Sequence, residues 1–357
     1  VRPRPVDILH ISCQTTFGWT VNDAALRRAL TELGVEVHQV SLRRRRGGLI
    51  TQAAQRLQSP ATDLYESACY TALASSALRR VRPRAILYSS TQAALLQPRR
   101  PIPEAVWIDG SVALTRPGRR NLPLRALESV RQRRLDLAMA MCMRHAEALT
   151  APLRAKESLV LHAPIDRSAG RCAPLPEGLR PPYGVMYAAD PFKKGLDLAI
   201  EAWSLTGTST PLVISGITEA QAHEFLGHRP PDNVRVIGPR PPAVHRNLVR
   251  QAAVYVSASR REEYGTSQME AFADLIPVAA VPSLGLVEPV AVARTVCPEL
   301  LASEISAPAL AESIRRALAM TPSALAAYRA AATRVMADYS YRAFRLRLAE
   351  EILPRLL

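Results

Sequence analysis

The chain has 357 residues, of which 48% are hydrophobic, 22% charged and 5% aromatic, a balance that excludes a disordered or low-complexity protein and predicts two domains, or one large α/β domain. Its 46 Lys and Arg outnumber 31 Asp and Glu, for a net charge of +15, and the excess is uneven: residues 1–163 carry +13 and residues 164–357 only +2. A first half so charged attracts an anionic partner (a membrane surface, an acidic acceptor or nucleic acid), unless it merely decorates solvated faces with arginine.

No apolar run approaches the roughly 20 residues needed to span a bilayer, and residues 1–7 lead into a strand pattern instead of a signal peptide, so a cytoplasmic protein is expected. The five cysteines, Cys13, Cys69, Cys142, Cys172 and Cys297, are scattered and never spaced as CxxC. This argues against a disulfide framework or a zinc site.

In chain order, residues 8–12 read as a buried strand, 14–21 as a polar loop containing Gly18, and the next stretch as a helix opened by Asn22 and stopped at Gly34, before a strand over 35–40. Strands follow at 85–88 and 105–108, then a long helical stretch over 122–145. A Pro/Gly/Arg-rich passage from His162 to Pro182 interrupts the rhythm and reads as the interdomain crossing. A second alternating series begins there, with strands over 185–188, 211–215, 234–237, 254–258 and 277–281, and helices over 196–204, 244–252 and 268–273. Helices at 307–320, 323–339 and 341–357 close the chain. Strands alternating with helices imply parallel sheets, so two doubly wound halves are expected, with ligands beyond the carboxyl ends of the strands.

After the strand at 254–258 comes Arg261-Glu-Glu-Tyr-Gly-Thr-Ser-Gln-Met-Glu-Ala. Gly265 allows a tight reversal there, and Ser267 followed by Glu270 has the form of a capping box. In the plain reading Glu270 ties off a helix start and Glu262 is solvated. In the functional reading, amides around Thr266 and Ser267 offer a helix N-terminus to phosphate oxygens, while Glu262 and Glu270 accept hydrogen bonds from sugar or ribose hydroxyls. Lysine occurs only at 156, 193 and 194, yet two of the three stand at a strand-turn-helix mouth. There a compact ammonium suits a leaving diphosphate, and positive charge at a helix start opposes the dipole.

The stretch from Arg261 through Pro277-Val278 resembles the signature of retaining GT-B glycosyltransferases of family 4, in which two glutamates separated by seven residues precede a small-residue helix and a Pro-Val strand. Residues 281–288 with Gly285, the turn Lys194-Gly195-Leu-Asp197, and the closing Tyr339-Ser-Tyr-Arg-Ala-Phe344 are similar to further family segments. The resemblance is strong over 185–290 and weak over 1–165. It implies an α/β protein of GT-B fold, with two Rossmann-like doubly wound parallel-sheet domains facing across a cleft: an acceptor-binding domain over 1–164, a nucleotide-sugar donor domain over 165–338, and a C-terminal helix over 339–357 returning to the first domain. It further implies that Glu270 binds the ribose, that Glu262 contacts donor-sugar hydroxyls, and that amides from Tyr264 to Ser267, with Gly265 and Thr266, hold sugar and phosphates. Lys194 would neutralise the leaving diphosphate. Transfer would proceed with retention by a metal-independent front-face reaction, with no cofactor beyond a UDP- or GDP-linked sugar as donor substrate, onto a glycan, lipid-linked or small-molecule acceptor.

The sequence departs from the family at two places. Ala189 stands where members carry an arginine five residues before the lysine, leaving Lys193, Arg240 or Arg261 to supply a second phosphate cation. Asp109, in Trp107-Ile-Asp-Gly110, stands near the position of a first-domain histidine, where it either contacts a substrate or serves as a turn-forming Asp before Gly. Gly18 occupies the loop where the family's first strand approaches donor or acceptor. His10 reads as a core histidine and His162 as a linker residue. No GxGxxG after a strand, GxxxxGK[ST], GxSxG, HExxH or DxD is present, which disfavours dehydrogenase, NTPase, α/β-hydrolase and metalloprotease readings. The rivals are a GT-B phosphorylase or epimerase, a catalytically silent GT-B relative that binds an anionic surface, and a nucleic-acid binder, although Arg43–Arg46 lacks interleaved aromatics. The charge asymmetry predicts peripheral association with the inner face of a membrane through residues 42–46 and 116–120.

Overall fold

The computed structural model describes residues 3–13, 17–42, 60–116, 118–143, 146, 156–169, 173–285 and 288–357. The chain divides into two compact units, one formed by Val1–Pro164 with Tyr341–Leu357 and the other by Ile165–Ser340.

In the first unit six parallel strands, β1 (Arg4–Ser12), β2 (Val37–Ser41), β3 (Val81–Ser89), β4 (Glu104–Ile108), β5 (Leu137–Ala140) and β6 (Glu157–Val160), lie in the order β2-β1-β3-β4-β5-β6. The central strands are apolar because parallel sheets are covered on both faces: Ile8, Leu9, Ile86, Val106 and Ala138 are fully buried. Trp107 is buried too, donating its indole N–H to the Leu161 carbonyl at 2.8 Å and packing edge-on against Trp19 and tilted against Phe344.

The second unit has five parallel strands, β7 (Gly184–Tyr187), β8 (Leu212–Ser215), β9 (Val234–Val236), β10 (Val254–Ser257) and β12 (Val278–Ala280), in the order β12-β10-β7-β8-β9. A two-stranded parallel pair, β11 (Arg261–Glu262) and β13 (Leu284–Gly285), stands apart from that sheet. In both units the strand order reverses beside the first strand, between β1 and β3 and between β7 and β10. Each reversal opens a crevice at the carboxyl ends of the strands, where ligands of doubly wound sheets bind.

Several expected elements differ. The helix expected over 122–145 ends at Gln132, and Leu137–Ala140 is instead strand β5. Leu, Ala and Met favour helices in isolation, but pairing between β4 and β6 buries all four residues, and that burial overrides propensity. The first helix starts at Phe17, before Asn22, so Gly18 lies in a helical turn and not in a loop. Asn22 is correspondingly no cap: it is buried inside the helix, with its amide near the Met141 sulfur. Helices over Pro60–Leu78, Glu219–Leu226 and Glu288–Val296, and strand β6, were not anticipated.

Candidate active site

The chain leaves β7 at Tyr187 and enters a one-turn helix, Pro191–Lys194. Asp190 caps it by accepting the Lys193 N–H at 3.0 Å, and Pro191 supplies a preset φ at the first position. Gly195 ends the turn at φ 66°, where a Cβ would stand 2.1 Å from the carbonyl oxygen of Ala258. The Lys-Gly turn is therefore pressed against the residue that follows β10. Arg260 reinforces that contact with a two-pronged grip on Asp197, at 2.8 and 2.7 Å, and a hydrogen bond to the Phe192 carbonyl at 3.0 Å. Its guanidinium holds the Asp197 carboxyl below the usual carboxylate range.

This packing brings the two lysines onto the acids of the motif. Lys193 pairs with Glu263 and Lys194 with Glu262. Although burial works against its charge, Glu263 and Glu262 hold the Lys193 ammonium above its ordinary range. Glu262 is nearly enclosed, with 5% of its side chain exposed against 18% for Lys194, and it also accepts the Ser259 hydroxyl at 2.8 Å. Its backbone pairs with Gly285, where a Cβ would come within 2.4 Å of the Glu262 carbonyl oxygen.

Eight residues on, Glu270 projects from the helix Thr266–Ala273. The expected capping box is absent: Gly265, at φ 72°, holds the N-cap position and no side chain caps the helix. Because the helix begins at Thr266, Ser267 has helical geometry, whereas a capping side chain needs extended backbone. The first-turn amides of Thr266 and Ser267 form the positive end of the helix. Glu270 meets the guanidinium of Arg246 at 3.3 Å. Burial raises its carboxyl above the usual range, Asp274 adds to the rise, and Arg246 opposes it. The motif's two carboxylates, which follow β10, thus have separate cations, Lys194 after β7 and Arg246 after β9.

Sequence reasoning missed Arg246. Of the three cations it offered to replace the arginine absent at 189, Lys193 is turned onto Glu263, Arg240 is exposed, and Arg261 is half-buried at the start of β11. Arg246 lies on the helix Pro242–Arg250 between His245 and Asn247, both buried. Polar residues on the face of an amphipathic helix that periodicity assigns to the core were the available signal. His245 bonds Ser215 at 2.8 Å, and burial with the neighbouring Arg246 lowers its pKa to about 4.

The other two expected site residues belong to the first unit. Asp109 directly follows β4 and is half-buried; Gly18 is the second residue of the first helix, and a Cβ there would meet nothing within 4 Å. At the β1/β3 reversal, Asp23 accepts the Ser89 hydroxyl at 2.5 Å and that of Ser12, and His10 bonds Ser89 at 2.8 Å, all fully buried. Of the basic segments expected at a membrane, Arg43–Arg46 lie outside the described residues. Arg116 is engaged by Asp63 at 3.0 Å, while Arg119 and Arg120 are exposed. Among the described residues no helix is long and apolar enough to cross a membrane, and no group of three or more His, Cys, Asp or Glu is arranged to hold a metal ion.

Residues 174–334 match the model of the family Glycosyl transferases group 1. No curated protein matches the chain. Among solved structures, a glycosyltransferase from Rickettsia africae ESF-5 is similar over 100% of this chain and 99% of its own, with 14% identity and a TM-score of 0.67. Sucrose-phosphate synthase from Thermosynechococcus elongatus is similar over 97% and 98%, with 15% identity and a TM-score of 0.71. A trehalose-6-phosphate structure from E. coli bound with UDP-2-fluoro glucose matches over the same shares, with 12% identity and a TM-score of 0.70. At these identities the likeness establishes the fold, which is GT-B.

Proposed function

We propose, from the match of residues 174–334 to the Glycosyl transferases group 1 model, that this chain is a glycosyltransferase that moves a sugar from a nucleoside-diphosphate sugar to an acceptor hydroxyl, with retention and without a metal. The observation that carries this reading is the pairing of Lys194 with Glu262 beside Glu270 at the β7/β10 reversal. A diphosphate entering there meets an ammonium, and hydroxyls on either side of it meet carboxylates. Glu270 accepts the ribose hydroxyls and Glu262 those of the donor sugar. The helix start at Thr266 and Ser267 faces phosphate oxygens, and Lys194 stabilises the charge that develops on the leaving diphosphate, the term expected to dominate. The departing phosphate oxygen takes the acceptor's proton, so no protein nucleophile is needed.

The E. coli relative's UDP-2-fluoro glucose supports a UDP-linked hexose as the first donor to try, with GDP-linked hexoses second. The +13 charge of residues 1–163 favours an anionic acceptor, whether glycan, lipid-linked or small molecule. Titration calorimetry with UDP and GDP, followed by donor hydrolysis with the matching nucleotide-sugar, tests the proposal. One nucleotide should bind, Glu270→Ala should weaken it about tenfold or more, and Lys194→Ala should lower turnover more than affinity. Failure of both nucleotides to bind, or native kinetics in both variants, refutes it.

A further inference from the structure

Glu270 is poorly placed to remain a carboxylate by itself. It is three-quarters covered, and another acid, Asp274, stands one helical turn away on the same face. Among the described residues, two phenols also face it, Tyr187 from β7 and Tyr255 from β10. Among the described residues, the cation that pairs with it is Arg246. Its guanidinium meets Glu270 at 3.3 Å, grips both oxygens of Asp274, and donates to the Asp166 carbonyl at 2.8 Å. Asp274 in turn accepts the Ser168 N–H at 2.8 Å and its hydroxyl at 3.1 Å. Arg246 is thus committed from several sides, with 17% of its side chain exposed. That commitment makes it unsuited to swing toward a phosphate and suited to hold a carboxylate.

We propose that Arg246 is a positioning residue for donor binding: it keeps Glu270 ionised and aimed, so that both carboxylate oxygens accept the two ribose hydroxyls. The inference rests on the reading of Glu270 as the ribose acceptor. A protonated Glu270 would turn one acceptor into a donor and lose a charge-assisted bond. Without Arg246, burial and Asp274 both favour the protonated acid, so Glu270 would give up its proton only at higher pH than in the native protein.

The test is calorimetric titration of UDP and GDP into the native protein, Arg246→Ala, Arg246→Lys and Glu270→Gln, at about pH 6 and about pH 8.5. Each variant is expressed relative to the native protein at the same pH, which cancels titration of the nucleotide itself. Arg246→Ala should bind about tenfold or more weakly at the lower pH and recover most of that loss at the higher one, one pKa unit corresponding to a factor of ten. Arg246→Lys should stay close to native, and Glu270→Gln should be weak at both pH values. Arg246→Ala that binds like native, or is weakened equally at both pH values as a merely structural defect would be, overturns the inference while leaving the donor reading intact if Glu270→Gln is weak. A native protein that binds neither nucleotide overturns that reading and this inference with it.

Discussion

Removing Lys194 should unsettle the second unit as well as its chemistry. Glu262 keeps only 5% of its side chain in water and is held by the Lys194 ammonium and the Ser259 hydroxyl. In Lys194→Ala the Ser259 hydroxyl is, among the described residues, the side chain left to compensate an enclosed carboxylate. Stripping one partner from a buried pair costs about 3–5 kcal/mol; since Lys194 itself retains 18% exposure and water can follow the shortened side chain, about 3 kcal/mol is the appropriate figure. For a unit of this size that lowers the melting temperature by roughly 6–12 °C. Differential scanning calorimetry of the whole chain measures it. The pair Lys194→Met with Glu262→Gln removes both charges at similar volume, so it should regain most of the lost stability while remaining without transferase turnover. A single variant that melts within about 1 °C of native, or a double variant as unstable as the single, would refute the claim that the pair is enclosed and mutually dependent.

Gly195→Ala places a Cβ 2.1 Å from a carbonyl oxygen at φ 66° and should cost about 2–5 kcal/mol; Gly227→Ala, at φ 77° with nothing within 4 Å, should cost about 1 kcal/mol, a contrast that chemical denaturation will show. Glu128 accepts the Val112 N–H on both oxygens at 3.0 Å, and burial pushes its pKa up from 4.5 to about 7. The folded form binds the proton more tightly, so its contribution to stability is complete below pH 4.5 and lost as pH rises through about 7. Glu128→Gln should therefore flatten the decline in melting temperature across that window. His245 has the opposite sign: lowered from 6.5 to about 4, it contributes stability above pH 6.5 that disappears as pH falls through about 4. His245→Gln should melt with a shallower acid dependence there, and an unchanged slope would show that other groups govern acid lability.

What the sequence determined by itself was local. Apolar runs bounded by Gly and Pro announced most strands, and the position of Glu262 and Glu270 around Gly265, with Lys194 before Gly195, marked the segments that the structure assembles beside β7 and β10. Those signals survive because each rests on neighbouring residues: alternation of polarity, the need for a left-handed turn, the separation of two acids along one chain. Other decisions belonged to the tertiary structure. Leu-Ala-Met-Ala became a strand only because β4 and β6 flank it, the first helix began at Phe17 and not at Asn22, and the helix bearing Glu270 took Gly265 as its cap in place of Ser267. The choice of Arg246 as the partner of Glu270 was equally invisible, since the two are separated by 24 positions and a whole strand. Which cation reaches a buried carboxylate depends on strand order and helix packing, and these are set by the burial of two sheet faces together, not by any stretch of chain read alone.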